Sequence, residues 1–289
     1  MTILSSPAFV RAAFTVRHRI EVTRRSIHGA RAERAASTAG STPAQEAEVA
    51  KPRVAVVYVY PVVGDSEHDI SARRFVATYR EFPPTESHSL HVVFNGSAPA
   101  AENVAVFDGL QVQFHEHDNV GWDIGAFQMA ARVISCDLIV CLGANSHFTR
   151  AGWLGRMVAA ACMHGDALYG ASASYERDPH IRTTAFWCDP MILRAYPIRV
   201  RTQEERYAFE AGALSLTRLT EHVGLQCWLV TWSGEYLKGD WRTPADIFRR
   251  GDQSNALVRD RYFDLFDAMD DETRSLHASM ADGPQPQRV

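Results

Sequence analysis

The residues best suited to chemistry are concentrated between positions 117 and 154. The first part of this stretch is a polar loop that reads Asn119-Val-Gly121-Trp-Asp123-Ile-Gly125-Ala126. The second part is an apolar run that breaks into small polar residues, Leu142-Gly143-Ala144-Asn145-Ser146. In open α/β sheets, ligands bind where strands end and helices begin. The stretch therefore supplies two edges at which a ligand can bind.

Strands and helices alternate around this stretch. Apolar or alternating runs predict strands at residues 53–60, 90–94, 109–115, 138–142 and 167–171, and amphipathic spacing predicts helices at 69–81, 123–133 and 153–161. The second half is less regular, with strands predicted at 182–187 and 225–232 and helices at 191–196, 214–223 and 257–266. This alternation predicts βαβ units and an α/β domain with a mostly parallel sheet.

The chain divides into a basic tail at residues 1–50, a folded domain at 51–270 and a second tail at 271–289. Seven arginines precede Gly40 against only two acidic residues, Glu21 and Glu33, and a linker rich in Ser, Thr and Gly lies at residues 36–43. This composition predicts a disordered or partly helical segment. As an alternative, the arginines with Val10, Phe14 and Val16 form a basic arm that touches anionic lipid. The C-terminal tail is predicted to be disordered.

Composition and missing motifs exclude several classes of protein. The net charge of −4 argues against a general nucleic-acid binder. No apolar run is long enough to span a bilayer, and no secretory signal is recognisable. The five widely spaced cysteines predict reduced thiols in a cytoplasmic protein. The motifs GxxxxGK, GxGxxG after the first strand, GxSxG and HExxH are absent, which removes P-loop kinases, ordinary dehydrogenases, α/β-hydrolases and zincins.

In their order along residues 52–260, the motifs resemble nucleotide-sugar glycosyltransferases of the GT-A fold, close to the family-2-like, rhamnan-synthesis-type group. The strongest part is Asn119-x-Gly121-x-Asp123-x-Gly125-Ala126, which is similar to the loop and helix after the third strand of such proteins. In that group the fourth strand ends in Asp-x-Asp, and a Trp-Leu pair follows. Here Gly143-x-Asn145 replaces Asp-x-Asp, and Trp153-Leu154 follows. The resemblance implies a Rossmann-like, three-layer α/β/α domain.

The resemblance also implies an inverting hexosyltransferase that moves a sugar from a nucleotide-diphosphate donor to a glycan acceptor in cell-surface polysaccharide assembly. Phe209-Glu210 resembles the helix start that supplies the catalytic base, with Asp178 and Asp189 as rivals. Glu210 is therefore the predicted base. The predicted donor-binding residues are Pro61, Asn95, Asn119, Gly121, Asp123, Gly125, Asn145, Ser146 and Arg182.

Two of these residues have a structural alternative. Aspartate is a good N-cap, so Asp123 could serve only to begin its helix. Glu210 could be a helix-start carboxylate that the helix macrodipole stabilises.

A metal site is disfavoured, and no cofactor is predicted with certainty. Mn²⁺ and Mg²⁺ prefer charged oxygen ligands, whereas Asn145 has a neutral amide at the position of a carboxylate. His115 and His117 lie on one face of a strand but have no recognisable third ligand. Arginines could bind the diphosphate instead, through charge-assisted bidentate hydrogen bonds. The candidates are Arg182, Arg242, Arg249 and Arg250.

The predicted partners are a nucleotide-sugar donor and a glycan acceptor, without nucleic acid. The basic tail would make weak contact with a membrane surface, which places a cytoplasmic protein at the inner face of the membrane. The alternative function is a catalytically degenerate GT-A domain that binds a nucleotide or glycan or scaffolds other enzymes. A nucleotidyltransferase is a third option, but the first loop, Pro61-Val-Val-Gly64-Asp65, lacks the expected glycines and lysines.

Overall fold

The computed structural model describes residues 6–38 and 51–283. Its strands are β1 (Val54–Val62), β2 (His88–Gly96), β3 (Val112–His117), β4 (Leu138–Leu142), β5 (Ala167–Gly170), β6 (Ala173–Ser174), β7 (His180–Ile181), β8 (Ala185–Cys188), β9 (Gln226–Val230) and β10 (Glu235–Leu237). Its helices are α1 (Pro7–Thr38), α2 (Ser66–Glu81), α3 (Ala101–Ala105), α4 (Trp122–Val133), α5 (Trp153–His164), α6 (Pro190–Ala195), α7 (Gln203–Glu210), α8 (Leu216–His222), α9 (Arg261–Asp267) and α10 (Asp271–Asp282).

Eight strands form one sheet in the order β10-β9-β5-β8-β4-β1-β2-β3, and β6 pairs with β7 separately. Neighbours from β4 to β3 are parallel, as are β5 and β9. β8 runs antiparallel between β4 and β5, and β10 is antiparallel to β9. The predicted α/β class with a mostly parallel sheet is confirmed, with β8 reversed inside it.

Helices cover both faces of this sheet. On β1, Ala55 and Val57 face a core that includes Phe127 of α4, whereas Val56 and Tyr58 face a core that includes Phe75 of α2. Because successive side chains of a strand point to opposite faces, a strand covered on both sides reads as a continuous apolar run. This explains why β1 was recognisable in the sequence, and it fixes the edge at which the parallel strands end.

The N-terminal segment, predicted to be disordered or partly helical, forms the helix α1 over residues 7–38. Val10 and Phe14 are buried in the core that also contains α4 and α6. Ion pairs join Arg25 to Asp189 at 2.6 Å and Glu21 to Arg194 at 2.9 Å. Val10 and Phe14 lie one helical turn apart and supply the buried contact, whereas Asp189 and Arg194 are far from α1 in sequence. These contacts explain why the segment is a helix packed on the domain. The predicted tail at residues 39–50 lies outside the described residues.

The C-terminal segment also differs from the predicted disorder, because residues 271–282 form α10. Ala281 is buried, and its carbonyl accepts a hydrogen bond from the Tyr175 amide at 2.7 Å. Asp282 binds Arg250, which anchors the end of the helix. These long-range contacts are not visible in local composition. Residues 284–289 lie outside the described part of the chain.

Across residues 6–38 and 51–283, no helix combines the length and apolar character that crossing a membrane requires.

Candidate functional site

A cavity of about 320 Å³ lies where β1, β2 and β4 end and α4 begins, and we call it the first cavity. Because the carboxyl ends of parallel strands meet at one edge, residues far apart in sequence converge there. Six predicted donor-binding residues line it: Pro61, Asn95, Asn119, Asp123, Asn145 and Ser146.

Asn95 lies at the end of β2 and is held by two hydrogen bonds. His117 Nδ1 donates to Asn95 Oδ1 at 2.7 Å, since an amide oxygen can only accept, and Asn95 Nδ2 donates to Asn119 Oδ1 at 2.8 Å. Burial lowers the pKa of His117, which keeps its imidazole neutral. His117 therefore orients the Asn95 amide at the end of β2.

The loop before α4 has an unusual backbone. Asn119, Gly121 and Trp122 have φ of 61°, 83° and 54°, all in the left-handed region. A Cβ on Gly121 would lie 2.1 Å from the Val200 carbonyl oxygen, and one on Gly125 would lie 2.0 Å from the Val120 oxygen. The two predicted donor-binding glycines thus shape the loop by allowing close backbone contact. Left-handed residues other than glycine are costly and often mark functional sites.

Asp123 is the second residue of α4, and Gly121 occupies the N-cap position. The structure therefore does not support the alternative that Asp123 only caps its helix. Arg206 Nε lies 3.5 Å from Asp123 Oδ1. Burial raises the pKa of Asp123, Arg206 opposes this, and Glu210 adds to it. A half-buried carboxylate on the cavity wall is suited to accept hydrogen bonds from ligand hydroxyls.

Asn145 presents a donor to the first cavity. Its Oδ1 accepts a hydrogen bond from the Ser71 hydroxyl at 2.8 Å, so the amide nitrogen is the group available to a ligand. The neighbouring Ser146 is buried, and its hydroxyl donates to the Thr184 carbonyl at 3.1 Å. Asn145 is thus oriented to meet a ligand oxygen, while Ser146 fixes the loop.

The residues around the first cavity do not fit a divalent cation. Its two carboxylates already have guanidinium partners, because Asp123 lies beside Arg206 and Asp260 pairs with Arg182 at 2.9 Å. Asp260 Oδ1 also accepts from the Tyr262 amide at 2.8 Å. Within the described ranges, no three His, Cys, Asp or Glu side chains are grouped as metal ligands.

The arginines on the first cavity are Arg206 of α7 and Arg261 of α9. Both arginines were missed in the sequence, Arg261 because nothing in the predicted helix at 257–266 marked it out, and Arg206 because the polar helix α7 was not recognised. Its signal was the capping box of Thr202 and Glu205, whose carboxylate accepts from the Thr202 amide at 3.1 Å.

The four arginines proposed for a diphosphate lie elsewhere. Arg250 donates to the carbonyls of Arg242 and Pro244, and Arg242 donates to the Asp282 carbonyl, so both brace the C-terminal region. Arg182 and Arg249 line a neighbouring cavity instead.

This second cavity, about 310 Å³ in volume, contains Glu210 and shares Tyr262 with the first. Tyr207 and Phe248 add aromatic surface, while Arg177 and Arg249 have positive φ of 67° and 56°. The lining of the second cavity contains both charged groups and aromatic rings, a combination that suits a hydroxyl-bearing ligand.

Arg182 is buried in this second cavity, with its guanidinium 3.7 Å from the centroid of the Phe248 ring. With its ion pair to Asp260, it links the end of β7 to the start of α9. Arg182, predicted as a donor-binding residue, therefore braces the wall between the cavities.

Glu210 is the last residue of α7, so the alternative of a helix-start carboxylate does not hold. A Thr202 cap starts α7 and a separate Ser215 cap starts α8, which leaves Glu210 at a C-terminal end. Glu210 Oε1 accepts a hydrogen bond from the Thr183 amide at 3.2 Å. Thr184, the next residue, lines the first cavity, so Glu210 lies close to the boundary between the two cavities.

The other candidates have structural partners. Asp178 pairs with Arg218 at 2.6 Å. Asp189 caps α6 through the Met191 amide. His115 Nε2 lies 2.9 Å from His91 Nδ1.

No protein-family model and no curated protein sequence matches the chain. Among solved structures, the mannosyltransferase PcManGT of Pyrobaculum calidifontis, in complex with GDP-Man and Mn²⁺, is similar at 13% identity and a TM-score of 0.42, over 75% of this chain and 65% of that one. The bifunctional glycosyltransferase WbbM has 8% identity and a TM-score of 0.37, over 64% and 40%. Mouse xyloside xylosyltransferase 1 has 9% identity and a TM-score of 0.40, over 60% and 82%. The chain spans less than two thirds of the first two, and similarities at this level assign no reaction to it.

Proposed function

We propose that this protein is a nucleotide-sugar glycosyltransferase of the GT-A type, with a glycan acceptor. The observation that carries the proposal is the convergence of Asn95, Asp123 and Asn145 on one cavity beside the cavity of Glu210. These side chains offer a carboxylate and amides to ribose, sugar or phosphate oxygens. The loop that supports them has two left-handed residues other than glycine, Asn119 and Trp122, which is a backbone cost that a binding role would explain.

In the proposed reaction, an acceptor hydroxyl in the second cavity attacks the anomeric carbon of a donor sugar in the first. The hydroxyl proton passes to a carboxylate oxygen of Glu210. The new carbon–oxygen bond forms as the bond from the anomeric carbon to the phosphate oxygen breaks. The nucleoside diphosphate leaves with the bonding electrons, and the configuration at the anomeric carbon inverts. The Thr183 amide holds Glu210 in place for this step.

The second candidate function is that of a catalytically degenerate domain. It is favoured by Asn145, which has an amide where the related motif has a carboxylate. A domain without the strand-end carboxylates would bind the nucleotide or glycan and transfer nothing. The two functions separate experimentally, because both require ligand binding but only the transferase releases a nucleoside diphosphate from its donor.

We further propose a role in cell-surface polysaccharide assembly, with peripheral contact to an anionic membrane through α1. Phe9, Val16 and Ile20 are 44%, 57% and 45% exposed. Their spacing of seven and four residues places them on one helix face, with Arg17 and Arg19 beside it. An apolar stripe flanked by arginines suits the interface of an anionic bilayer.

A thermal-shift screen of UDP-, GDP-, dTDP- and ADP-sugars tests the donor site. We expect at least one nucleotide sugar to raise the melting temperature of the wild type and to lose this effect in Asp123→Ala. Asp252→Ala, which changes an exposed carboxylate outside both cavities, is the control and should keep the shift. The proposal fails if none of the nucleotide sugars stabilises the wild-type protein.

A further inference from the structure

The diphosphate of a nucleotide sugar gains negative charge as it leaves, and something in the first cavity must balance that charge. The Asn145 oxygen accepts from Ser71, so it does not offer a strong ligand to a cation. Both carboxylates of the cavity are engaged with arginines. The negative charge of the diphosphate must therefore be balanced by the arginines of the first cavity, Arg206 and Arg261.

Arg206 reaches the first cavity from α7. Its buried Nε has no hydrogen-bond acceptor among the described residues, and Asp123 Oδ1 lies 3.5 Å away, at ion-pair distance. The guanidinium lies 5.9 Å from the centroid of the Trp122 ring. The Arg206 side chain is 34% exposed at the cavity wall, and it is held between an anion and an aromatic ring.

Arg261 reaches the same cavity from a separate element, the helix α9. The side chain is exposed, and its guanidinium lies 5.3 Å from the centroid of the Tyr262 ring. In the described part of the protein it has no ion-pair partner. Arg182 neutralises the adjacent Asp260, so this carboxylate does not offset the charge of Arg261. Arg261 is therefore an uncompensated cation on the cavity surface.

We infer that Arg206 and Arg261 bind the diphosphate directly, so that the first cavity takes up a nucleoside diphosphate without a divalent cation. This inference rests on the proposed function and specifies how its donor site works. A guanidinium presents paired N–H donors that match phosphate oxygens, and its charge does not vary with pH in the working range. Two arginines from separate elements can contact the two phosphate groups of one ligand.

Isothermal titration with UDP, GDP, dTDP and ADP tests this inference, first in EDTA and then with MnCl₂. We expect binding in EDTA with an affinity close to that in MnCl₂. Arg206→Gln and Arg261→Gln should each weaken binding by about tenfold or more, the value of a lost charge-assisted hydrogen bond. Arg150→Gln, which changes an exposed arginine that lines neither cavity, is the matched control and should bind like the wild type.

The outcomes are distinguishable. Binding that requires Mn²⁺ overturns the role of the arginines but leaves a nucleotide-binding enzyme. Binding in EDTA that survives both substitutions also overturns it. Because Arg261 is exposed, Arg261→Gln tests the inference even if Arg206→Gln fails to fold. If no nucleoside diphosphate binds under either condition, the proposed function itself is wrong.

Discussion

Arg206 Nε lies 3.5 Å from Asp123 Oδ1, which places a guanidinium of α7 against a carboxylate of α4 on one wall of the first cavity. Burial still raises the pKa of Asp123 in spite of this cation. The protein thus retains a carboxylate whose ionised form is costly in the folded state. Such a cost is expected at a binding site, where the charge serves a ligand rather than the fold.

Replacing Asp123 by Asn should stabilise the protein while weakening its ligand site. Because the folded-state pKa is raised above the ordinary value of 3.8, the folded protein holds this proton more tightly than the unfolded chain does. Stability from this group is therefore lost as the pH rises through the raised pKa. We expect Asp123→Asn to melt above the wild type at pH 7, with the difference shrinking as the pH falls toward 3.8.

The control for this prediction is Asp252→Asn. Hydrogen bonds from Ser254 lower the pKa of the exposed Asp252, so the ionised form of this carboxylate stabilises the folded state. Replacing Asp252 should therefore not raise the melting temperature. Scanning calorimetry from pH 4 to 8 measures both variants. A melting temperature of Asp123→Asn that lies below the wild type throughout this range would contradict the prediction.

Replacing Glu210 by Gln should separate chemistry from donor binding. Glutamine keeps an oxygen for the Thr183 amide but cannot take the acceptor proton, so we expect kcat to fall by about 10²- to 10⁴-fold. The dissociation constant of the nucleotide should change by less than about twofold, since Glu210 lies in the second cavity. Glu204→Gln, which changes an exposed glutamate of α7 outside both cavities, is the control and should keep the wild-type kcat. Nucleoside diphosphate release measures turnover, and an unchanged kcat in Glu210→Gln would rule out its role as base.

Two N-cap glycines allow a test of the loop before α4. Gly121 and Gly152 have nearly equal φ of 83° and 86°, but a Cβ on Gly152 would meet no atom within 4 Å. Gly152→Ala should cost about 1–2 kcal/mol, the penalty of a left-handed residue with a Cβ. Gly121→Ala should cost at least about 1 kcal/mol more, because its Cβ collides with the Val200 carbonyl. Urea unfolding compares the two, and equal losses would show that the close contact is unimportant.

Removing one apolar side chain from the outer face of α1 should weaken membrane contact. We expect the wild type to sediment with phosphatidylserine-containing vesicles more than with phosphatidylcholine alone. Val16→Asp should lower the bound fraction to anionic vesicles roughly tenfold, through lost burial and added repulsion. Met163→Asp, on the exposed face of α5, is the control and should bind like the wild type. The proposal would be contradicted if the wild-type protein did not sediment with anionic vesicles more than with phosphatidylcholine alone.

The half of the site that comes from strand ends was predictable from sequence. β1 and β4 are nearly continuous apolar runs, so their ends, and with them Pro61 and Asn145, could be located by composition alone. Parallel pairing then brings these ends together with Asn95. Local pattern and sheet topology are sufficient for this half.

The part of the site that contains Arg206 and Arg182 was not predictable from sequence, because long-range contacts determine where these side chains lie. α7 buries only Phe209, so it has too little apolar periodicity to reveal where Arg206 points. The position of Arg182 depends on Asp260, 78 residues later in the chain. The role of α1 likewise depends on carboxylates such as Asp189, far from its own sequence.

A crystal structure of the protein soaked with a nucleotide sugar tests the central claim most directly. We predict density for the nucleotide in the first cavity, in contact with Asn95, Asp123 and Asn145, with the anomeric carbon directed toward Glu210. A nucleotide bound elsewhere on the protein, or a first cavity that stays empty at saturating nucleotide sugar, would contradict the proposed donor site.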